Sequence, residues 1–583
     1  MAKGSANANL FFLHLIVALL SARMTTNPTR KSPLSCLAFL ALLLVVWDAT
    51  RMPARAAAST ATWNVRDSGA KGDGKTLDTL PIQKAIDDCS SKGGGTVIFP
   101  AGNYLIGTLY LKSNVTLNIQ AEAEIVGTTH LDQYGSDTGL SPYYPEDLDK
   151  CLIYAKDAQN ITLTGPGAIN GGFPGNEKPV PAPGATGREV TAKPMLIRFD
   201  GCENIKMDSL KLYGSSSWCM HFARSKNIIL TNLDVPNKHQ DGVDFESCEN
   251  AQVTGCHFIT GDDSIAILSS HDQICRNITI TNCTMESRCA AIRLGPLSYG
   301  DIQNITATHC QFSNCQLGGV KIGMYEGGTI SDCRFTDLQM DKCTCPILIF
   351  LGTFYEVGAV TNRRPEMPVG HIHDLTFSNI TATTFIRAAG SPDANSVLFF
   401  QGYPGADIEN ITLDHVQISF PGGGTEAQAT RRNLVDMDKI NPYRDGYWTD
   451  HKTTFGVAPA AALYARHVKN LKLNEVKFSI LAPDARAAVF LNQASNVTFD
   501  GLSVSGTAGP PVAAASLLVL DSQTVTVQNS QGNPVASTFL SAEGAATKSI
   551  VLKNVNFQGV DQPILTGNGA LLQEIQTTKA GNP

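Results

Sequence analysis

One phrase returns through the middle of the chain, as Asn204-Ile-Lys-Met, Asn227-Ile-Ile-Leu, Asn250-Ala-Gln-Val, Asn277-Ile-Thr-Ile and Asn304-Ile-Thr-Ala. Gly328-Thr-Ile-Ser continues the phase, and the successive steps are 23, 23, 27, 27 and 24 residues. A nearly fixed period in this range indicates a repeat architecture. Within each period, short stretches alternate between polar and apolar residues and are separated by Gly and Asn, a pattern typical of strands and turns.

The repeat predicts a solenoid of β-strands. One coil of three short strands cannot bury its apolar face alone, but stacked coils bury it against their neighbours as parallel sheet, about 4.8 Å apart. We therefore predict an all-β fold, a single-stranded right-handed parallel β-helix, over residues 59–583. A leucine-rich repeat is the competing solenoid, and the scarcity of helical periodicity and the leucine spacing disfavour it.

One helix is predicted, at Leu80–Cys89. Ile82, Ala85, Ile86 and Cys89 fall on one stripe of this segment, which has an Asp before it and a Pro in its first turn. We expect the helix to cover the N-terminal end of the solenoid, where unpaired strand edges would otherwise be exposed.

Residues 1–58 are typical of a leader rather than of folded structure. Basic residues at Arg30 and Lys31 precede an apolar run over residues 34–47, and small residues at 56–58 offer a cleavage site. The run is too short for a permanent membrane span, so we predict a secretory signal that starts at Met24. An unusual signal anchor is the alternative.

Charge and length limit the partners of the remaining chain. The whole chain carries 45 basic and 52 acidic residues, and removal of residues 1–58 leaves 39 and 51, a formal charge of −12. An acidic chain without a basic stripe is not expected to bind nucleic acid. The chain after residue 58 contains no further apolar run that would indicate membrane association once the signal is cleaved. We expect a secreted or periplasmic protein that is a monomer.

Cysteines recur with the repeat. Four of them occupy the same position of successive periods, at Cys256, Cys283, Cys310 and Cys333. Recurrence at one position indicates a stack of small buried side chains. In an exported protein some disulfides are also expected, with Cys343 or Cys345 bonded to a distant partner. Cys343 and Cys345 lack a companion pair and a His array, so we predict no zinc site.

Three carboxylates are the candidate catalytic groups. Asp262 and Asp263 follow Gly261, and Asp241 lies 21 residues earlier, which is close to one repeat. This spacing predicts that the three side chains meet on one surface of adjacent coils, provided that the chain bends at Gly261. Clustered carboxylates are costly to keep ionised together, so the cluster suggests acid/base chemistry. Structural turn aspartates and a calcium site remain alternatives.

The chain resembles glycoside hydrolase family 28, the polygalacturonase family of pectin-lyase-like solenoids. The resemblance rests on Asp67-Ser-Gly-Ala-Lys-Gly-Asp73, Gly93-Gly-Gly-Thr-Val-Ile-Phe-Pro-Ala-Gly102, Gly165-Pro-Gly-Ala-Ile-Asn-Gly171, Ser217-Trp218 and, most specifically, Asp241 with Thr260-Gly-Asp-Asp263. It implies that Asp262 is the general acid and that Asp241 and Asp263 are the bases that activate water. The implied reaction is inverting hydrolysis of a pectic polysaccharide, with no metal and no cofactor.

Several family positions differ in this chain. His239-Gln240-Asp241 stands where the family has Asn-Thr-Asp, and Cys289-Ala-Ala stands where it has Gly-His-Gly. Lys321-Ile-Gly replaces Arg-Ile-Lys, and Arg293 offers a second cation. We expect His239, Gln240, Arg293 and Lys321 to bind the substrate.

The altered residues leave the sugar open between polygalacturonan and rhamnogalacturonan. Two further functions stay open from the residues alone. The first is a polysaccharide lyase or epimerase on the same solenoid, and the second is a pectin-binding protein that has lost catalysis.

Overall fold

The computed structural model describes residues 61–135, 150–175, 177–181, 183–184, 192–270, 273–352, 368–385, 396–432, 434, 457–506, 515–532 and 536–578. These residues belong to the unit Ser59–Pro583. The predicted leader, residues 1–58, lies outside the described residues.

The described strands stack into three ladders of parallel pairs, as the repeat predicts. The first ladder contains Thr62–Asn64, Gly95–Phe99, Val115–Ile119, Gln159–Thr164, Glu203–Asp208, Lys226–Thr231, Glu249–Thr254, Cys275–Thr281, Ile302–Thr308, Thr329–Asp341, His371–Thr383, Ile408–Phe420, Val468–Asn474, Ser495–Asp500, Gln523–Gln528, Lys548–Lys553 and Ile575–Thr578. The second ladder contains Asp73–Leu77, Gly102–Ile106, Ala123–Gly127, Ala168–Asn170, Lys211–Tyr213, Asp234–Val235, His257–Thr260, Thr284–Ser287, Gln311–Ser313, Lys477–Ile480 and Ser503–Gly506. The long strands Thr329–Asp341, His371–Thr383 and Ile408–Phe420 run through both the first and the second ladder. The third ladder contains Leu109–Tyr110, Cys151–Lys156, Met195–Asp200, Met220–Ala223, Val243–Glu246, Ile265–Ser269, Ala290–Ser298, Gly318–Met324, Ile347–Leu351, Leu398–Gln401, Ala460–Arg466, Ala487–Asn492, Ala515–Leu520, Thr538–Glu543 and Gln562–Gly567.

The alternation within each strand builds the core of this parallel β-helix. In Glu249–Thr254, for example, Ala251 and Val253 are fully buried, whereas Gln252 between them is exposed. The same alternation recurs in each coil, so the inward side chains of neighbouring coils form one continuous apolar core. The prediction of a parallel β-helix is confirmed.

The repeated Asn forms a turn ladder, which is the run of asparagines from Asn114 to Asn304 that follow one another on successive coils. Each of these asparagines has a positive φ, for example 62° at Asn250. From Asn160 onward, each amide also donates to the amide oxygen of the preceding Asn, at 3.2 Å from Asn250 to Asn227 and 2.9 Å from Asn277 to Asn250. Asn recurs because it tolerates the left-handed conformation and its side chain pairs with its own copies.

The predicted helix spans Thr79–Ser91, slightly longer than expected. Its buried residues are the four that the sequence placed on one stripe, Ile82, Ala85, Ile86 and Cys89. The helix contacts the strands Thr62–Asn64, Gly95–Phe99, Leu109–Tyr110 and Val115–Ile119, which are among the earliest strands of the solenoid. We call Thr79–Ser91 the capping helix. Within the described ranges, no helix combines the length and the apolar character needed to cross a bilayer.

The cysteines behave as buried small side chains. Cys256, Cys283 and Cys310 each point a thiol at the carbonyl oxygen two residues earlier, at 3.3–3.5 Å. Cys343 and Cys345 are free thiols, so the expected disulfide at one of them is wrong. The Cys345 thiol instead donates to the carbonyl oxygen of Val397 at 2.8 Å. Burial in the coil stack, and not cross-linking, accounts for these residues.

The outer face of the third ladder changes character along the solenoid. Strand register places one outward column through Tyr154, Arg198, His221, Asp244, Ala266, Arg293, Lys321, Leu348, Phe399, Tyr464 and Phe490. Apart from Ala266, the column carries polar side chains as far as Lys321, and it is apolar from Leu348 onward, where its side chains join a second buried cluster. Functional chemistry is therefore expected on the polar part of this face.

Candidate active site

The three predicted carboxylates meet at the start of two neighbouring strands of the third ladder. Asp241 precedes Val243–Glu246, and Asp262 and Asp263 precede Ile265–Ser269. Val243 pairs with Ile265, so the register sets Asp241 beside Asp263. The backbone N–H of Asp263 donates to Oδ1 of Asp241 at 2.8 Å. The repeat-length spacing thus brings these side chains onto adjacent coils, as predicted.

A bend at Gly261 turns both Asp262 and Asp263 toward the same surface. A Cβ atom at Gly261 would lie 2.2 Å from the carbonyl oxygen of Lys238, so only glycine fits this close approach. The hydroxyl groups of Thr260 and Ser287 then donate to the Asp262 carbonyl oxygen at 2.8 and 2.6 Å. Chain neighbours that would face opposite sides of a regular strand share one site because of this bend.

Asp263 is held as a carboxylate. Its Oδ1 accepts from the backbone N–H of Ala290 at 3.0 Å, and its Oδ2 accepts from Nη1 of Arg293 at 2.9 Å. Burial works against ionisation, but the positive charges of Arg293 and Lys321, together with hydrogen bonds from Cys289 and Arg293, lower the pKa of Asp263. Asp263 is therefore a fixed negative charge at neutral pH.

Asp262 has the opposite tendency. Its Oδ1 is buried and accepts no hydrogen bond from any residue in the described ranges. Burial, followed by the negative charge of Asp263, raises the pKa of Asp262. The side chain is thus suited to hold a proton and to donate it, which is the behaviour required of a general acid.

The predicted substrate-binding residues separate into two groups. Arg293 and Lys321 are paired in register on the column beyond the acids, and they are 7% and 1% exposed. Together they place two basic side chains next to Asp262 and Asp263. His239 is exposed at the edge of the site, where its Nε2 lies 2.9 Å from the carbonyl oxygen of Phe173, and Gln240 is partly exposed beside it.

Cys289 joins the acids, although the sequence indicated only that no histidine stands there. Ligand atoms of Cys289, Asp262 and Asp263 all lie within 4.8 Å of one another. Burial raises the pKa of the Cys289 thiol well above its ordinary value, so the thiol stays protonated and can donate to the carboxylates. The three side chains are close enough to hold a cation, but Arg293 already supplies positive charge to Asp263.

Further polar residues on the same face were missed from the sequence. Asp244 and His221 are fully buried and paired in register, and Nε2 of His221 lies 2.8 Å from Oε2 of Glu246. Burial alone would raise the pKa of Glu246, but hydrogen bonds from His221 and Ser270 and the nearby positive charges together lower it to about 2. The available signal was the charged residue at alternate positions of Val243–Glu246, since alternate positions of a strand share a face.

Comparisons with known proteins agree with the fold and identify a family. The family model "Glycosyl hydrolases family 28" matches residues 89–436. A probable polygalacturonase of Vitis vinifera is 28% identical over 304 residues, which are 47% of this chain and 60% of that protein. An exopolygalacturonase of Zea mays is 24% identical over 402 residues, 66% of this chain and 90% of that protein. The structure of a family 28 exopolygalacturonase of Yersinia enterocolitica aligns with a TM-score of 0.59 at 20% identity, over 76% of this chain and 79% of that one.

Proposed function

Because this chain belongs to glycosyl hydrolases family 28, we propose that it hydrolyses glycosidic bonds of polygalacturonan with inversion of configuration. The observation that carries this proposal is the pair of adjacent acids with opposite pKa shifts, Asp262 raised and Asp263 lowered, beside the cations Arg293 and Lys321. Pairs of carboxyl groups whose environments drive their pKa values apart are typical of acid/base catalysis.

The proposed reaction uses Asp262 as the acid. It gives its proton to the glycosidic oxygen as the bond to the anomeric carbon breaks. A water molecule attacks that carbon from the opposite face and loses a proton to Asp241. Asp263 remains ionised and stabilises the positive charge that develops on the sugar ring.

Arg293 and Lys321 are proposed to bind the carboxylate of a galacturonate unit. A guanidinium group has five N–H donors in a fixed fork, of which Nη1 of Arg293 is engaged by Asp263. A uronic acid therefore finds a directional donor and a second positive charge close to the acids. His239 and Gln240 are proposed to contact the substrate at the edge of the site.

Residues 1–58 are proposed to direct export, after which the enzyme would act as a secreted or periplasmic monomer on its polymer. The lyase and the inactive-binder alternatives are not favoured, because a carboxyl group with a raised pKa beside one with a lowered pKa suits hydrolysis and serves neither elimination nor simple binding.

The test is release of reducing ends from polygalacturonan by the wild type and by Asp262→Asn. Loss of a general acid is expected to lower kcat by about 10²–10⁴-fold. Asp337→Asn is the matched control, since it removes a partly exposed carboxylate on the first ladder, and Asn suits its φ of 55°. If Asp262→Asn cleaves the polymer as fast as the control, the assignment of the acid is wrong.

A further inference from the structure

Asp244 is a buried acid beside the three catalytic candidates, and the family resemblance gave it no role. It lies in the strand Val243–Glu246, whose Val243 and Phe245 point into the core. Asp244 therefore points to the outer face, in register with His221 on the preceding coil and Ala266 on the following one. It is fully buried.

The polar surroundings of Asp244 are unusual for a carboxylate. Neither of its oxygens accepts an N–H or O–H hydrogen bond from any residue that the structure describes. Its polar contact is instead the carboxyl group of Asp241, three residues earlier. Two ionised carboxyl groups have acceptors only and repel each other, so this contact is favourable only when one of them carries a proton.

Most charged groups that face the pair oppose full ionisation. His221 and the Cys219 thiol lie on the preceding coil, Glu246 lies on the same strand, and Asp262 and Asp263 lie on the following coil. Arg198 and Arg293 stand two positions away on the same column. Burial, followed by these neighbouring negative charges, raises the pKa of both Asp241 and Asp244 well above the ordinary value.

We propose that Asp244 is a positioning residue that shares one proton with Asp241, so that the two carboxyl groups together carry a single negative charge in the resting enzyme. The inference rests on the proposed hydrolysis for its catalytic meaning. The shared proton holds the Asp241 carboxylate in place and removes one charge from a site that already contains Asp263.

The proton balance of the reaction follows from this pair. At rest, Asp262 holds one proton and the pair Asp241–Asp244 holds one. During cleavage Asp262 gives its proton to the leaving oxygen, and Asp241 accepts one from the attacking water while Asp244 keeps the shared proton. The pair ends neutral and Asp262 ends ionised, and exchange of one proton with solvent restores the resting state.

The first experiment records the infrared band of protonated carboxyl groups in Asp262→Asn at neutral pH. This variant lacks the general acid, so a remaining band from a buried protonated carboxyl group is expected to belong to the pair. In the double variant Asp262→Asn/Asp244→Asn the band is expected to vanish, because the new amide donates to Asp241 in place of the proton. A missing band in the single variant, or a persistent band in the double variant, overturns the shared proton.

The second experiment uses turnover and needs only Asp244→Asn. At alkaline pH the wild type loses both the shared proton and the proton of Asp262. Its kcat/KM is therefore expected to fall with pH at the slope that corresponds to loss of two protons. In Asp244→Asn it is expected to fall with loss of one. A loss of activity that is uniform with pH, with an unchanged slope, overturns the positioning role.

The two experiments also separate this inference from the proposed function. If the wild type does not cleave polygalacturonan, the hydrolase proposal fails, but the infrared band still tests the shared proton. If the enzyme cleaves polygalacturonan and the band is missing, only the role of Asp244 fails.

Discussion

Asp262 and Asp263 are chain neighbours, yet their surroundings shift their pKa values in opposite directions. Both are desolvated, and the difference comes from the partner, since Nη1 of Arg293 donates a hydrogen bond to Asp263. One carboxyl group is thereby kept for proton donation and the other for charge stabilisation. The division of labour depends on the bend at Gly261, which lets two adjacent side chains share a site.

This division predicts a pH-dependent stability effect at Asp262. The pKa of Asp262 is higher in the folded protein than in the unfolded chain. The carboxyl group therefore favours the folded state below its unfolded pKa, and this contribution to the free energy of unfolding is lost as pH rises through the folded pKa. Asp262→Asn is therefore expected to raise the unfolding temperature at neutral pH, with a gain of about 0.5–2 kcal/mol. The gain should disappear in acid. Thermal unfolding across pH measures it, and an equal gain at all pH values would contradict the assigned shift.

The opposite sign is predicted for the partner of Asp263. Arg293→Met leaves a buried carboxylate without its cation, which costs about 3–5 kcal/mol. The folded pKa of Asp263 is lowered in the wild type, so the stability that Arg293 supports is present above the unfolded pKa and is lost as pH falls through the folded pKa. Denaturant unfolding should show a large deficit near neutral pH that shrinks in acid. A deficit independent of pH would mean that Arg293 acts through packing alone.

The sequence predicted part of this arrangement. Asp241, Asp262 and Asp263 lie in turns one coil apart, so their meeting follows from the period. Asp244 and Cys289 were missed because their contacts depend on strand register and on which face each side chain takes. Neither quantity is fixed by spacing alone when bends interrupt the alternation.

At the level of elements, the turn ladder explains why Asn recurs. The left-handed backbone and the side-chain hydrogen bonds both favour Asn, and substitutions can separate the two effects. At Asn250 a glycine keeps the conformation but removes the amide, whereas an alanine removes the amide and also strains the backbone.

We therefore predict that Asn250→Gly lowers the free energy of unfolding by roughly 1–2 kcal/mol, through loss of the bonds to Asn227 and Asn277. Asn250→Ala should cost about 1–2 kcal/mol more, because φ is 62°. Denaturant unfolding of the three proteins measures both steps. Equal losses for Gly and Ala would show that backbone strain is negligible there.

The capping helix was predicted from its apolar stripe, because a 3.6-residue pattern stands out in a chain of alternating strands. Ile86 is fully buried, whereas Leu80 on the same helix is 82% exposed. Ile86→Ala should therefore cost about 2–5 kcal/mol, and Leu80→Ala, the matched control, should stay within about 0.5 kcal/mol. Chemical denaturation of both variants tests the assigned face, and a larger loss at Leu80 would reverse it.

Over the described solenoid, the outer face of the third ladder has two regions: its outward column is largely polar up to Lys321 and apolar from Leu348 onward. The sequence could predict the solenoid, since the period persists through insertions. It could not predict the division, because the change from polar Lys321 to apolar Leu348 has meaning only once the register aligns them. The free thiols at Cys343 and Cys345 show the same limit, since export suggested a bond that the packing does not contain.

The central claim is hydrolysis with inversion at the acid cluster. Its most direct test is proton magnetic resonance of the first products released from polygalacturonan by the wild type in isotopically labelled water. Hydrolysis with inversion predicts saturated products whose first anomeric configuration is opposite to that of the bond cut, and whose mass shows one labelled oxygen at the new reducing end. Unsaturated products, or products that first appear with the configuration retained, would contradict it.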